Sequence, residues 1–524
     1  MEPNKECPVS EPVEVGSSEA VNTSIWHRVK GKASISVDGS RMDPRSNWSN
    51  RDLDPVLPEY QTWRTYNFVT YWISDAFAVS NWRIGSSLIA IGLSWKLALV
   101  AVAIGNFITA LVVTCNSLIG ARLHMPFTVQ ARSAYGFYFA YVIIVFRVII
   151  LCFESMVFAI WPRFRNIPNE LPKSANITTG FMICYFIYWL ICLPFHYIPP
   201  HQVRWFFTFK SIVTPIAGFA IVGYLVSSTG GGRAIFSQGN QVHGPKLGWA
   251  MMNSIYAMVG NFATLGVNMN DFARYSRKPN SPYVQLLVIP LVFIVMMLFG
   301  IIGANGTKIL YGELLWDPLL IVDSWTSKGG RAAAFFCALA FLIASIGVNI
   351  SANSISVATD LSALLPRYIN IRRGQFICAI LGAWAMTPWN ILVSAEALIN
   401  FMSGYTIWLA PISGILIADY WVVDKQVLSV PDMYRPNGIY MYNRFGTNWR
   451  AAVAFFIGFV PLLPGFAKSV NPKVDIGDGP MNFYYLGYFY GFGVSAGLHV
   501  LLSRLFPAKE TMLHRSTNDT GVAA

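Results

Sequence analysis

VTYWISDAFAVSNWRIGSSLIAIGL, residues 69–93, is long and apolar enough to cross a bilayer, yet it does not read as a lipid-facing helix. Asp75, Ser80, Asn81, Arg83, Gly85, Ser86 and Ser87 interrupt it near the middle. In hydrocarbon an unpaired backbone group is costly, so a helix break at that depth survives only where it is buried or lines a cavity. A second interrupted stretch, GNFATLGVNMNDFARY (260–275), falls in the sixth apolar segment. Two discontinuous helices, one opening each half of a chain, point to a central site reached alternately from two sides.

Composition fits this reading. The 524 residues are 54% hydrophobic, 15% aromatic and only 12% charged. A soluble domain carries roughly a quarter charged residues. The class is an all-α polytopic membrane protein embedded in a lipid bilayer. The seven cysteines, Cys7, Cys115, Cys152, Cys184, Cys192, Cys337 and Cys378, show neither metal-ligand spacing nor a disulfide framework and read as small packing residues. The net charge of +12 is explained by basic loops on one side of a membrane, without any nucleic acid.

Residues 1–66 are polar and read as an N-terminal tail, disordered to about residue 50, with no cleavable signal peptide. Twelve spans are expected within 67–505, near 67–93, 95–118, 138–162, 177–197, 203–227, 248–273, 283–304, 332–357, 375–394, 396–421, 450–467 and 483–505. Residues 506–524 form a C-terminal tail. With both termini cytoplasmic, basic residues favour the inner loops by roughly two to one. The clusters at Arg274–Lys278 and Arg367–Arg373 then lie inside. The apolar outer segment 305–331 predicts a short interfacial helix, and 422–449 predicts a segment packed under the bundle.

Charged groups at membrane depth are functional candidates by default. Asp75 and Arg83 flank the first break and pair with each other or with loop groups. Arg147 in the third span reads as structural, and Lys210 in the fifth as a cap or anchor on the cytoplasmic side. Glu154 lies deeper, where a proton or a cationic group could reach it. Asp75 and Glu154 are therefore the proton-coupling candidates. In the eighth span Asn349 and Asn353, four residues apart, share a helical face with Ser351 between them. Their amides offer both donors and acceptors, as the edge of a nitrogen heterocycle requires. Trp82, Phe153 and Phe262 are candidates to stack on a planar ring.

DLDPVLPEYQTW (52–63), WRIGSSLIAIGL (82–93), NFATLGVNMNDFARY (261–275), NISANS (349–354) and SGYTIWLAPISGILIADYW (403–421) follow one another in order. Together they resemble the Fur-type branch of the nucleobase–cation symporter-1 family, fungal permeases for uracil, allantoin, uridine and related compounds. The resemblance implies a twelve-helix, LeuT-like 5+5 inverted repeat with helices 1 and 6 broken. It also implies proton-coupled import at the plasma membrane. In the substrate site it places Asn353 and Phe262, with the first-helix contact position Ala78; Asn349, Asn261 and Trp82 are further candidates from the residues themselves. Phe401, Met402 and Tyr405 fall in the gate region. The stacking Trp and the amide-recognising Gln of uracil-type relatives correspond to Phe153 and Val157 here. Phe can stack, whereas Val cannot hydrogen-bond, so uracil itself is less favoured. The hydroxyl side chains of the bacterial sodium site are replaced by Gly347 and Val348, which favours a proton over sodium.

The expected partners are a small-molecule substrate, a coupling proton and lipid, with no cofactor and no metal; the sequence sets no oligomeric state. The alternative keeps the fold and moves a cationic vitamin-like substrate such as thiamine or nicotinamide riboside, with Glu154 as its counter-charge. A substrate sensor that does not transport is a third reading. No nucleophile–base pair, phosphate loop or metal cluster points to an enzyme.

Overall fold

The structure, a computed structural model, describes residues 39–44, 47–154, 169–172, 178–198, 203–385, 395–471, 473–508, 511 and 513. The side chains of 149–154, 181, 203, 385, 395–398 and 401 lie outside that description. Six described helices are each long and apolar enough to cross a membrane: Trp95–Leu123, Arg204–Ser228, Ser281–Tyr311, Lys328–Leu364, Met402–Val423 and Trp449–Val470. Asp478–Tyr485 and Gly487–Leu505 form a further span as a pair bent by 69°. The third, fourth and ninth expected spans correspond to the shorter helices Phe139–Glu154, Thr179–Cys192 and Ile371–Ala385.

The first expected span is two helices, Thr65–Ala76 and Val79–Ala90, parted at Phe77–Ala78. Neither Pro nor Gly stands there. Ala78 is extended, with φ −118° and ψ 152°. The Asn81 side chain donates to the carbonyls of Asp75 and Ala76, at 2.8 Å each. It replaces the backbone donors that a continuous helix would supply, as short polar side chains do where they compete with the ladder. The sixth span divides into Pro245–Asn261, Ala263–Asn268 and Asn270–Ala273, with Phe262 as the first non-helical joint.

Glycines set the packing around both breaks. A Cβ on Gly85 would lie 2.4 Å from the Met297 carbonyl oxygen, and one on Gly300 would lie 2.2 Å from that of Trp82. The second half of the first span and the helix Gln285–Tyr311 therefore cross in backbone contact. In lipid no hydrophobic force pulls helices together, and close approach at small residues does so instead. Gly120 plays the same part for the sixth span, where a Cβ would lie 2.6 Å from Asn270 Cα.

Two expectations change. Residues 39–44 and 47–63 are not a free tail: Ser49 and Leu53 are fully buried. Asn50 Nδ2 donates to the carbonyls of Pro366 (3.2 Å) and Ile369 (2.9 Å), and the Ile371 N–H donates to Asp52 (2.9 Å). Tyr434 and Arg132 hold the carbonyls of Leu53 and Trp48. A polar composition suggested disorder, but these groups are ordered by loop partners remote in sequence. Asn305, the first residue of the expected outer segment 305–331, is 1% exposed inside the helix Gln285–Tyr311, which runs longer than expected. The short helix expected in 305–331 is Pro318–Asp323, and the segment 422–449 is anchored by the buried side chains of Met433, Tyr434 and Tyr440.

Candidate functional site

The two breaks are tied to each other. Asn261 Nδ2 donates to Asn81 Oδ1 at 2.8 Å, so the side chain that caps the first break is itself held from the second. On the other flank Tyr405 donates its hydroxyl to the Gly260 carbonyl at 2.7 Å. Gly260 has to be glycine, because a Cβ would lie 2.2 Å from the Met402 carbonyl oxygen. The gate candidates Met402 and Tyr405 thus lie directly on the sixth-span break. Asn261 Oδ1 keeps no hydrogen-bond partner among the described residues.

The buried charges pair over long sequence distances. Arg83 bonds to Asp317 at 2.6 Å, so it pairs with a loop carboxylate and not with Asp75. Asp75 accepts from Lys210 Nζ at 3.3 Å and from the Ser351 hydroxyl at 3.0 and 3.1 Å. Lys210 is accordingly no anchor at the membrane edge. It is fully buried and also donates to the Ala344 carbonyl at 3.2 Å. An ammonium there needs a carboxylate and a carbonyl because water cannot solvate it. Arg147 meets Asp360 at 3.1 Å and Asp271 at 3.8 Å, all fully shielded, with its guanidinium over the Phe127 ring. These contacts join the first, fifth and eighth spans on one side and the third, sixth and eighth on the other.

The eighth span widens to a π-helical turn over Asn349–Ser354. Such turns are rare and cluster at functional sites. Asn349 and Asn353 part company there. Asn349 is half-buried and lines a small cavity with Tyr188, His196 and Ser354. Asn353 is fully buried, and neither its Nδ2 nor its Oδ1 has a partner among the described residues. A side-chain amide carries two donors and an acceptor with two lone pairs, so leaving it wholly unpaired in the protein interior is expensive. Ser351, between the two, is spent on Asp75.

The aromatic candidates take different neighbours. Phe262 packs edge-on against Trp72 and Phe293, with centroids 5.6 and 4.8 Å away. Trp82 lies on Phe299 and against Gly303, with its indole N–H unpartnered among the described residues. Ala78 is buried at the break, and its carbonyl accepts from the backbone N–H groups of Asn81 and Trp82. Val157 lies outside the described residues. Phe153 and Glu154 end their helix with side chains outside the description, as is the side chain of Phe401. Sequence reasoning missed Asn81 as the cap, Lys210 as the partner of Asp75, and Asp271 and Asp360 as the partners of Arg147. Only the position of Asn81 just past the break hinted at its role; the other pairings leave no trace in local sequence.

The family described as permease for cytosine/purines, uracil, thiamine, allantoin matches residues 55–491 of this chain. An uncharacterised permease of Schizosaccharomyces pombe is 39% identical over 517 residues, covering 96% of this chain and 92% of that protein. The uracil permease of Saccharomyces cerevisiae is 33% identical, covering 97% and 84%. Among solved structures, a nucleobase–cation symport-1 family transporter, closed with bromovinylhydantoin bound, superposes with a TM-score of 0.69 at 20% identity, covering 90% of this chain and all of that one. The fold is the all-helical transporter class expected from the sequence, and the protein is a multi-pass membrane permease, not an enzyme. The broken helices, the glycine crossings and the match from residue 55 to residue 491 agree: the chain belongs to the permease family for cytosine/purines, uracil, thiamine and allantoin.

Proposed function

We propose that this permease imports a small planar nitrogen heterocycle of the uracil, allantoin or uridine type across the plasma membrane, with both termini cytoplasmic. The observation that carries this reading is the Asn353 amide, buried on the π turn and unpartnered among the described residues. A heterocycle edge presenting an N–H beside a carbonyl would satisfy both of its atoms. Asn261 Oδ1 offers a second acceptor, and Phe262 an apolar ring at the sixth-span break. Trp82, Ala78, Phe153, Glu154, Val157 and Asn349 complete the proposed site, with Phe401, Met402 and Tyr405 as its gate. Met402 and Tyr405 suit that role because they rest on the joint that must flex.

The coupling ion in this reading is a proton. Lys210 fills the space beside Gly347, where a Cβ would lie 2.8 Å from Nζ, and holds Asp75 and the Ala344 carbonyl. The protein's own cation thus occupies oxygens that a sodium ion would need. Glu154 and Asp75 are the two proton-coupling candidates. Uptake of radiolabelled uracil, allantoin, uridine and thiamine by expressing cells tests the substrate class. Uptake of one of the first three, abolished by a protonophore and indifferent to sodium, supports the reading. Uptake of thiamine alone would move the substrate to the cationic class that the family description also includes. Sodium dependence would remove the proton.

A further inference from the structure

The face that carries the 39–63 strap holds a cavity of about 590 Å³. That volume suits a small-molecule ligand. Its wall comes from the strap, from the end of the fourth span at His196–Ile198, from Arg274–Tyr275 and from Asn370–Gln375. It shares His196 with the small cavity beside Asn349, but no residue of the broken first span, Thr65–Ala90, or of the sixth-span helices lines it, so it is distinct from the site at the two breaks.

The lining brings together Arg41, Arg51, Arg274 and Arg372 against Asp52 and Asp54, a formal excess of two positive charges. Two further side chains are buried and incompletely satisfied. Gln375 is 1% exposed and its Nε2 has no partner among the described residues. His196 is also 1% exposed; one ring nitrogen meets the Ser354 hydroxyl at 3.1 Å and Nε2 is unpartnered among the described residues. Arg372 is exposed and rests over the Tyr197 ring at 5.6 Å.

We propose that this cavity is a second ligand site, for an organic phosphate monoester. Guanidinium forks match phosphate oxygens in shape and charge. A phosphate monoester carries about −1.5 to −2 at neutral pH, close to the excess in the lining. The cavity is far larger than a phosphate group, which leaves room for an organic body, and Tyr197 supplies an aromatic wall. The unpartnered Gln375 amide needs an acceptor, which a phosphate oxygen provides. The site spans two parts that must separate if the strap moves: Asn50 and Asp52 on the strap hold Pro366, Ile369 and Ile371 beyond the eighth span. A ligand touching both binds the closed arrangement better and stabilises it. Only this inhibitory consequence rests on the proposed transport; binding stands apart from it.

The test uses the full chain in lipid nanodiscs, titrated with uridine 5′-monophosphate, uridine and inorganic phosphate. The monophosphate is expected to bind at least tenfold more tightly than either control, and less tightly as salt rises. Arg372→Ala should weaken it at least tenfold and Arg372→Lys by less. Gln375→Met should weaken it while raising the melting temperature of the free protein, because a buried N–H donor without a partner among the described residues is removed. That opposite pair of effects separates a ligand contact from a folding defect. In proteoliposomes, monophosphate on the strap side should slow wild-type uptake and spare Arg372→Ala. Nanodiscs containing phosphatidylinositol phosphate distinguish the source: competition with the monophosphate supports the site and assigns the phosphate to a lipid headgroup. Absence of binding by both phosphate forms, or binding that ignores Arg372→Ala, overturns the proposal. Failure of uptake for every heterocycle would sink the transport reading and leave the binding result to stand by itself.

Discussion

The first-span break and the eighth-span π turn both depart from α-helical geometry, but their polar groups meet opposite fates. At Phe77–Ala78 the freed carbonyls of Asp75 and Ala76 are taken by Asn81, which is held in turn by Asn261. The Asp75 carboxylate is taken by Lys210 and Ser351. At Asn349–Ser354 the Asn353 amide is left without a partner among the described residues in the same buried setting. The contrast separates frame from site. Where a protein satisfies its own buried groups it builds a fixed joint. Where it leaves a whole amide unpaired, the missing partner has to come from elsewhere.

Substitutions can break that contrast on a scale of folded-state stability. The largest cost is expected from Asp75→Asn, which leaves Lys210 buried without a counter-charge. Losing one partner of a buried pair costs about 3–5 kcal/mol. Thermal unfolding in detergent should show a large drop, and Asp75→Asn with Lys210→Met should recover much of it. A single substitution that unfolds no earlier than wild type would mean the pair is not a frame element. Next comes Asn81→Ala, which strands the Asp75 carbonyl and the Asn261 amide and leaves the Ala76 carbonyl only the Ala78 N–H. The expected loss is about 2–3 kcal/mol, at the level of leaving buried groups unsatisfied. Tyr405→Phe removes one hydroxyl bond to Gly260 and should cost about 1 kcal/mol, read from the same melting curves.

The smallest stability change is expected from Asn353→Ala. It removes an amide that has no partner to lose, so the melting temperature should hold or rise. Uptake should nevertheless fall by about 100-fold or more, since a site built to hydrogen-bond its substrate discriminates strongly once that bond is gone. Radiolabelled uptake normalised to surface protein measures this. A melting temperature that drops as far as that of Asn81→Ala would place Asn353 in the frame and remove the contrast.

Much was legible in the sequence, for local reasons. Apolar runs of membrane length, polar residues inside two of them and amides four apart in the eighth span are short-range patterns, and they indicated the class, the interrupted stretches and Asn353. Local pattern also carried the sense that 422–449 packs against the body, through its Tyr and Pro content. The stretch up to about residue 50 reads as disordered because its polarity is that of a free tail. Its order comes from partners more than 300 residues away, such as Asn50 with Pro366 and Ile369.

Hydrocarbon admits few alternatives for backbone hydrogen bonds, so the chain alone determined that it crosses a membrane as helices and where those helices are disturbed. Only the tertiary structure decided which buried charge answers which. Arg83 turns to Asp317, Asp75 to Lys210, and Arg147 to Asp360 and Asp271. Electrostatic pairing acts through space at a few ångströms, and sequence separation places no limit on it. The same holds for the unpaired amide: Asn353 is one asparagine among many in the chain, and it stands apart only because, among the described residues, the fold brings no partner to either of its side-chain atoms.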